Sequence, residues 1–407
     1  MTNRKKYAII FLLAFSCLCY NLPYLSSTFY QQFLDAFALS NTQAGMLLSM
    51  FSLTATPGYL FGGMLADKFS PKKLILISQI LTAVLGISMT FLNSYSLLLV
   101  CYLGFGVSTT FIHWSAMMKL IRAQASENEE GKAFGFFEFS YAIVGAIASY
   151  GILAAMDSII SMGGFRIVTS VYGVVLLVIA VLIAVLLKDV DKGISSDSFN
   201  VKMVGKALVH PVTWLNGLIV MGLFILVRGT SYLNPYLTSV FGASVTLGTS
   251  ITIANRTVLR MVFSPLGGIL IDRMKTPKFL VLTCAAMIAL CVISIFVPND
   301  SGHMTIALIL VLVLISVLAL SRSGMYTPIP EAGIPLEITG TAMGICSAIG
   351  YSTDLWLFTL CGNWLDQHGN SGYKYIFMLF IAGLALVIVS SLLLRNYEKK
   401  HIVCPAE

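Results

Sequence analysis

Four arginines lie inside strongly apolar runs of the chain: Arg228, Arg256, Arg260 and Arg322. A charge at the centre of a membrane-spanning helix costs roughly 2.5–3.5 kcal/mol on insertion scales, so each one calls for a partner, a watery cavity or a ligand. Arginine's planar fork matches the oxygens of a carboxylate, sulfonate or phosphate. On a helix, at about 100° per residue, Thr249, Thr252, Arg256 and Arg260 fall on one face. A polar stripe of that kind should line water rather than lipid. Arg228 has Ser231, Tyr232 and Pro235 on its side, with Asn234 nearby, and Asp354 shares a face with Gly340, Met343, Ser347 and Gly350.

Earlier in the chain, Lys119 and Arg122 share a face with Ser115, whereas His113 points about 120° away from Lys119. Glu138 follows, about 9 Å along its run from Lys132 at 1.5 Å per residue. Asn21, Tyr20, Tyr24 and Tyr30 add polar tips of the kind a solute site uses. Lys119, Arg228, Arg256, Arg260 and Arg322 outnumber Glu138 and Asp354 by three charges, with His113 neutral. Surplus fixed positive charge in a low-dielectric cavity attracts an anion. The expected site is therefore Arg228, Arg256 and Arg260 for a small organic anion, with Tyr24, Tyr232 and Asn21 as hydrogen-bonding groups. Glu138, Asp354 or His113 can couple protons, and exchange of one anion for another is equally compatible.

Each of these residues also has a structural reading. Asp354 can pair with Arg228 or Arg256, and Lys119 with Glu138. Arg322 can snorkel to the headgroups or close a gate, and His113 can be hydrogen-bonded structure. No Walker motif, dinucleotide fingerprint, metal-spaced His/Cys cluster or nucleophile elbow occurs in the sequence. The expectation is no enzyme, no cofactor and no metal.

The elements that hold these residues follow from composition. Of 407 residues, 57% are hydrophobic and only 11% charged. Ordinary globular chains carry about a quarter charged residues, so this one needs lipid as part of its solvent. Apolar segments of spanning length fall at 7–33, 42–66, 73–92, 96–121, 132–154 and 166–188. After a polar stretch, six more follow at 209–240, 246–271, 278–298, 303–325, 338–361 and 373–395. The expected fold is all-α and integral to the membrane, with twelve transmembrane helices. The expected domains are an N-terminal half at 1–188, a cytoplasmic linker at 189–208 and a C-terminal half at 209–407.

Loop lysines and arginines set the orientation. Nearly all lie on the side shared by both termini, and only Arg166 and Lys374 lie on the other. Both termini are expected in the cytoplasm of an inner-membrane protein. The net charge of +7 is then topological, and nucleic acid is not needed to explain it. The cysteines sit in apolar runs without metal spacing and read as small buried hydrophobes. The basic start and the apolar run from Tyr7 resemble a signal peptide, but the run is long and lacks a cleavage site, so it reads as a retained first span.

The chain repeats itself. Gly62-Gly63-Met64-Leu65-Ala66-Asp67-Lys68 after span two returns as Gly267-Gly268-Ile269-Leu270-Ile271-Asp272-Arg273 after span eight. Pro23-Tyr24-Leu25-Ser26-Ser27 in span one returns as Pro235-Tyr236-Leu237-Thr238-Ser239 in span seven. Two homologous six-span halves are the anatomy of a rocking carrier with its site between them.

These residues resemble the loop motif of the major facilitator superfamily: a glycine, three residues, an aspartate and a basic residue. Gly63, Asp67 and Lys68 match in the first half, where Ser70 replaces a usual glycine. Gly268, Asp272 and Arg273 match in the second, which departs at Lys275-Thr276-Pro277. The resemblance implies that these six residues, with Arg322, form a cytoplasmic gate. It also implies that spans one, four, five, seven, eight, ten and eleven surround a central cavity. Span four lacks the Arg-x-x-x-Gly pattern of many proton-coupled members, and span five lacks the antiporter motif of drug exchangers. Trp114 to Arg122 with Glu130-Gly131, Glu331 to Pro335, and Gly340 to Gly344 with Gly350-Tyr351 and Asp354 resemble bacterial permeases labelled as sugar-phosphate or organic-anion carriers. A neutral sugar, a drug or a lysolipid remains an alternative cargo, as does a nutrient sensor built on a carrier scaffold. The expected partners are the solute and membrane lipid, and the expected state is a monomer.

Overall fold

The computed structural model describes residues 3–124, 130–187 and 201–401, and no strand occurs among them. Helical chain runs through each of the twelve predicted spans. Eight helical runs are long and apolar enough to cross a membrane, the last of them, Thr341–Lys400, covering two predicted spans. The chain divides into two compact units, Met1–Leu39 with Met46–Phe199, and Ser40–Gly45 with Asn200–Glu407. Ser40–Gly45 is held in the second unit by Asp366. Its carboxylate accepts from the backbone N–H groups of Asn41 and Thr42 at 3.1 and 2.8 Å, and from both their side chains.

Local chemistry sets where helices begin. Ser70 caps Pro71–Phe91 by accepting from the Lys73 N–H at 3.2 Å, with Pro71 in the first turn. Ser244 does the same for Val245–Arg256 through Leu247. In both cases a short hydroxyl side chain satisfies an amide that the helix cannot. Within the first unit, Pro71–Phe91 packs chiefly on Ile167–Leu186. Within the second, Thr276–Phe296 packs chiefly on Gly372–His401. These are spans three and six, then nine and twelve, so the repeated sequence produces a repeated packing. The outer faces stay apolar, as at Val174, Val178, Val181 and Val185 of Ile167–Leu186. Such faces suit lipid.

Several spans are interrupted where the hydropathy pattern predicts continuous helix. Span one passes from Asn3–Ser16 into a 3-10 turn, Cys17–Asn21, and then into short helices, Leu25–Thr28 and Tyr30–Phe37. Span seven ends its regular part at Gly229 and continues as 3-10, α and π turns to Val240. The repeated Pro23 and Pro235 explain the match, because proline removes an amide donor and clashes with the preceding turn. Span four is π-helical over Gly106–Trp114. Span eight breaks at Thr257, whose hydroxyl donates to its own helix at the Ile253 carbonyl, 2.8 Å away. Such back-bonding bends helices. The stripe expected from Thr249 to Arg260 is therefore interrupted between its two arginines.

The repeated glycine motif shows its use one residue before the glycine that the motif pattern marks. A Cβ on Gly62 would come within 2.7 Å of the Phe111 carbonyl oxygen and 3.1 Å of Ser115 Oγ. On Gly267 it would strike the Leu320 carbonyl and lie 2.9 Å from Ser323 Oγ. Span two thus meets span four, and span eight meets span ten, at backbone contact. In the second unit, Ser323 Oγ donates to the Ser264 carbonyl at 2.6 Å. Gly268 would meet nothing within 4 Å, because one helical residue turns the Cβ direction by about 100°. The side-chain positions of Gly63 and Asp67 lie outside the described residues. Small residues that let backbones touch are the main device for packing helices in lipid. Gly267→Val should therefore overpack this contact by about 1–3 kcal/mol and lower the melting temperature in detergent, while Gly268→Val should melt near the parent. Equal melting of the two variants would refute this account.

Candidate functional site

The second unit gathers the intramembrane charges. Arg228 Nη2 lies 2.8 Å from Asp354 Oδ2, with side chains 19% and 4% exposed. Of the two partners left open for Asp354, the structure records Arg228. The guanidinium also sits over two rings, 5.4 Å from the centroid of Phe224 and 5.8 Å from that of Tyr351. Phe224 and Tyr351 meet edge to face at 4.6 Å. Cation–π contacts of this kind are worth about 2 kcal/mol when desolvated. They also fix the plane of the fork. Arg228, Arg260, Arg322 and Asp354 all lie within electrostatic reach of the Tyr351 hydroxyl. Beside them, the hydroxyls of Tyr326 and Ser347 share a hydrogen bond at 2.9 Å.

Helix interruptions place these groups. Arg228 is the penultimate residue of Pro211–Gly229, Arg256 closes Val245–Arg256, Arg322 opens the 3-10 turn Arg322–Gly324, and Asp354 lies in the 3-10 turn Ser352–Leu355. At such ends backbone groups are left without helical partners, and the chain can turn a side chain inward. Arg256, Arg260 and Arg322 are half-buried. Phe224, Tyr351 and Tyr326 were not among the sequence candidates. The usable signal was spacing: Phe224 precedes Arg228 by four residues and so stacks one turn away from it. Tyr351 needed the tertiary structure.

Tyr232 is 2% exposed, and its hydroxyl donates to the Phe358 carbonyl at 2.7 Å. That bond ties span seven to the start of Leu357–His368. Its oxygen is thereby committed to protein.

The first unit arranges its polar groups differently. His113 is fully buried, on the π-helical stretch of span four. Ser16 Oγ donates to the Leu13 carbonyl at 2.6 Å, so its oxygen accepts from His113 Nε2 at 2.9 Å. The Tyr20 hydroxyl donates to the Thr109 carbonyl at 2.9 Å, and its oxygen lies 3.2 Å from His113 Nδ1. Each ring nitrogen therefore faces a hydroxyl oxygen whose own proton goes to a backbone carbonyl. Asn21 Nδ2 donates to the Tyr172 hydroxyl at 3.1 Å. Tyr24 is half-buried and packs edge to face on Phe51 at 5.4 Å. Lys119 Nζ donates to the Ala66 carbonyl at 3.2 Å, and Glu138 is exposed on Glu130–Ala154. Of the remaining motif residues, Lys68, Asp272 and Arg273 are exposed at helix ends.

Among the described residues no group of three or more His, Cys, Asp or Glu is arranged to hold a metal ion. The described cysteines are all buried and unbridged, as expected for small hydrophobes in apolar helices.

Known proteins share this architecture. The inner membrane protein YihN of Escherichia coli (strain K12) is 28% identical over 424 residues, with both chains fully covered. The inner membrane protein YqcE of the same organism is 26% identical over 401 residues, covering 95% of this chain and 94% of that one. Among solved structures, a bacterial homolog of the human lysosomal transporter Spinster, inward-facing and occupied, superposes with a TM-score of 0.72 at 16% identity, covering 98% of each chain. The nucleoside transporter NupG gives 0.75 at 12% identity, over 98% of this chain and 100% of that one. A D-xylose–proton symporter gives 0.73 at 15%, over 97% and 98%. At such identities the likeness speaks for fold alone. The profile of the Major Facilitator Superfamily itself matches residues 8–355. The two-unit helical fold, the repeated glycine–aspartate–basic motif and this match establish that the chain belongs to the Major Facilitator Superfamily, a family of membrane transporters rather than enzymes.

Proposed function

We propose that the protein is a secondary active carrier of a small organic anion, working by alternating access as a single chain in the inner membrane with both termini in the cytoplasm. The observation that carries the substrate class is the convergence of Arg228, Arg260 and Arg322 with a single carboxylate, Asp354, around Tyr351. Three guanidiniums around one carboxylate leave the cluster net positive, and a net positive field in a low-dielectric interior favours an anionic solute. Arg256 adds further positive charge at the end of Val245–Arg256. Carboxylates, sulfonates and phosphate esters all present oxygens that a guanidinium fork can grip in pairs. The naming of Escherichia coli relatives as inner membrane proteins supports the location. The loop charge asymmetry supports the orientation. The two repeated motifs around Asp67 and Asp272 serve as the cytoplasmic gate.

Coupling follows from competition at Arg228. An arriving anion competes with Asp354 for the guanidinium. A carboxyl left buried without its cation is neutralised by a proton rather than kept charged. Anion and proton then move together, as symport. Asp354 is the proton site in this scheme. His113 serves as structure, because both ring nitrogens are already engaged by Ser16 and Tyr20.

Two results are expected from purified protein in proteoliposomes, tested against carboxylates, sulfonates and phosphate esters. Arg260→Gln and Arg322→Gln should each weaken anion transport at least tenfold, since a lost hydrogen bond to a charged group is worth about 1.5–3 kcal/mol. Unchanged anion transport in both variants, or uptake of a neutral sugar alone, would sink the anion reading.

Asp354→Asn should bind the anion more tightly, having lost a competitor, yet carry no protons, as read by an internal pH dye. Each single change at the pair should also destabilise the protein by about 3–5 kcal/mol, and the double Arg228→Leu/Asp354→Leu should recover much of that loss without recovering transport. Proton movement that survives Asp354→Asn would remove Asp354 from the coupling role.

A further inference from the structure

The second copy of the repeated motif departs from the family pattern at Lys275-Thr276-Pro277, and the transport reading makes no use of that departure. Val258–Met274 ends just before it, and Thr276–Phe296 starts inside it with Pro277 in its first turn. Lys275, between the two, has φ of 67°, a backbone region that residues with a side chain seldom occupy. Its amide donates to the Ile271 carbonyl at 2.8 Å, and the Thr276 amide donates to Glu331 Oε2 at 3.1 Å. The turn is therefore held from both sides.

This turn and the end of Gly372–His401 line a half-open cavity of about 290 Å³, walled by Lys275, Lys278, Arg395, Lys399, Glu331 and Glu398. Four cations face two carboxylates, a surplus of two positive charges. One carboxylate, Glu331, is engaged as the cap on Thr276. The other is not: Glu398 Oε1 is buried and has no hydrogen-bond partner. A buried acceptor without a donor is costly. A ligand that suits the cavity must bring an anionic group for the cations and a donor for Glu398. Its walls are the basic ends of helices, where headgroup phosphates lie.

We infer that this cavity binds a phosphate ester bearing a neighbouring hydroxyl or ammonium group. That chemistry belongs to glycerophospholipid headgroups and equally to soluble phosphate esters. The site uses none of the residues assigned to solute transport, so the failure of either reading leaves the other intact.

The full-length protein in phosphatidylcholine nanodiscs, doped with phosphatidylglycerol or phosphatidylethanolamine, tests the membrane source through retained lipid seen by native mass spectrometry. Titration with glycerol 3-phosphate and with inorganic phosphate, followed by calorimetry in undoped discs, tests the soluble source. Lys278→Gln/Arg395→Gln should weaken binding about thirtyfold, taking about fivefold for each charge near the surface. Glu398→Leu should erase the preference for hydroxyl- or ammonium-bearing headgroups over choline. Its binding of inorganic phosphate should remain. If the double variant does not fold, Lys275→Gly, which relieves the positive φ, reads the loss of a wall cation by itself. Variant-sensitive binding in the doped discs supports a lipid, and in the titration a soluble ester. Binding that no variant alters, or no binding in either arm, overturns the site.

Discussion

A guanidinium buried among apolar helices has to be answered, and the contact of Arg228 with Asp354 is the answer on which the second unit turns. Taking two ions out of water costs several kcal/mol each, and only close geometry with supporting contacts returns that cost. Here the N–O distance is 2.8 Å, and two aromatic faces cover the guanidinium. Phe224, Tyr351 and the turn at Ser352–Leu355 are all consequences of housing that pair. The same expense makes it usable. A balance this costly is the kind of contact that a competing anion can shift.

The broken helices serve the same end. In lipid, every backbone amide and carbonyl must find a partner, so irregular chain persists only where protein or water covers it. Pro23 and Pro235 interrupt spans one and seven at matching positions of the repeat. Thr257 interrupts span eight through its own hydroxyl. Each interruption in the second unit lies beside an ionisable residue. The opposite device appears at Gly62 and Gly267, where regular helices are brought to backbone contact by having no side chain at all. Close packing and deliberate breaks together let a stable unit hold a charged interior.

Twelve helical segments, the repeat and the charge asymmetry were legible because each depends on composition over about twenty residues. The arginines were legible as candidates because charge in an apolar run is conspicuous. Their partners were harder. Thr257 reads as an ordinary polar residue on a helical face, and only its hydrogen bond shows that the stripe from Arg256 to Arg260 is bent. Tyr232 reads as a ligand for a solute, while the fold commits its hydroxyl to Phe358. His113 reads as a titrating group, while Ser16 and Tyr20 engage both its nitrogens. In the second motif, the glycine that packs, Gly267, lies one residue from the one the motif pattern marks.

By itself, then, the sequence determined the helical class, the internal repeat and the sign of the charge within the apolar runs, since these are sums and periodicities along one chain. Tertiary structure decided which charges meet. Arg228 and Asp354 are separated by more than a hundred residues, and so are Tyr232 and Phe358. Whether a polar side chain faces a solute or a carbonyl depends on distances of a few tenths of a nanometre between helices, and no pattern within one helix carries that information.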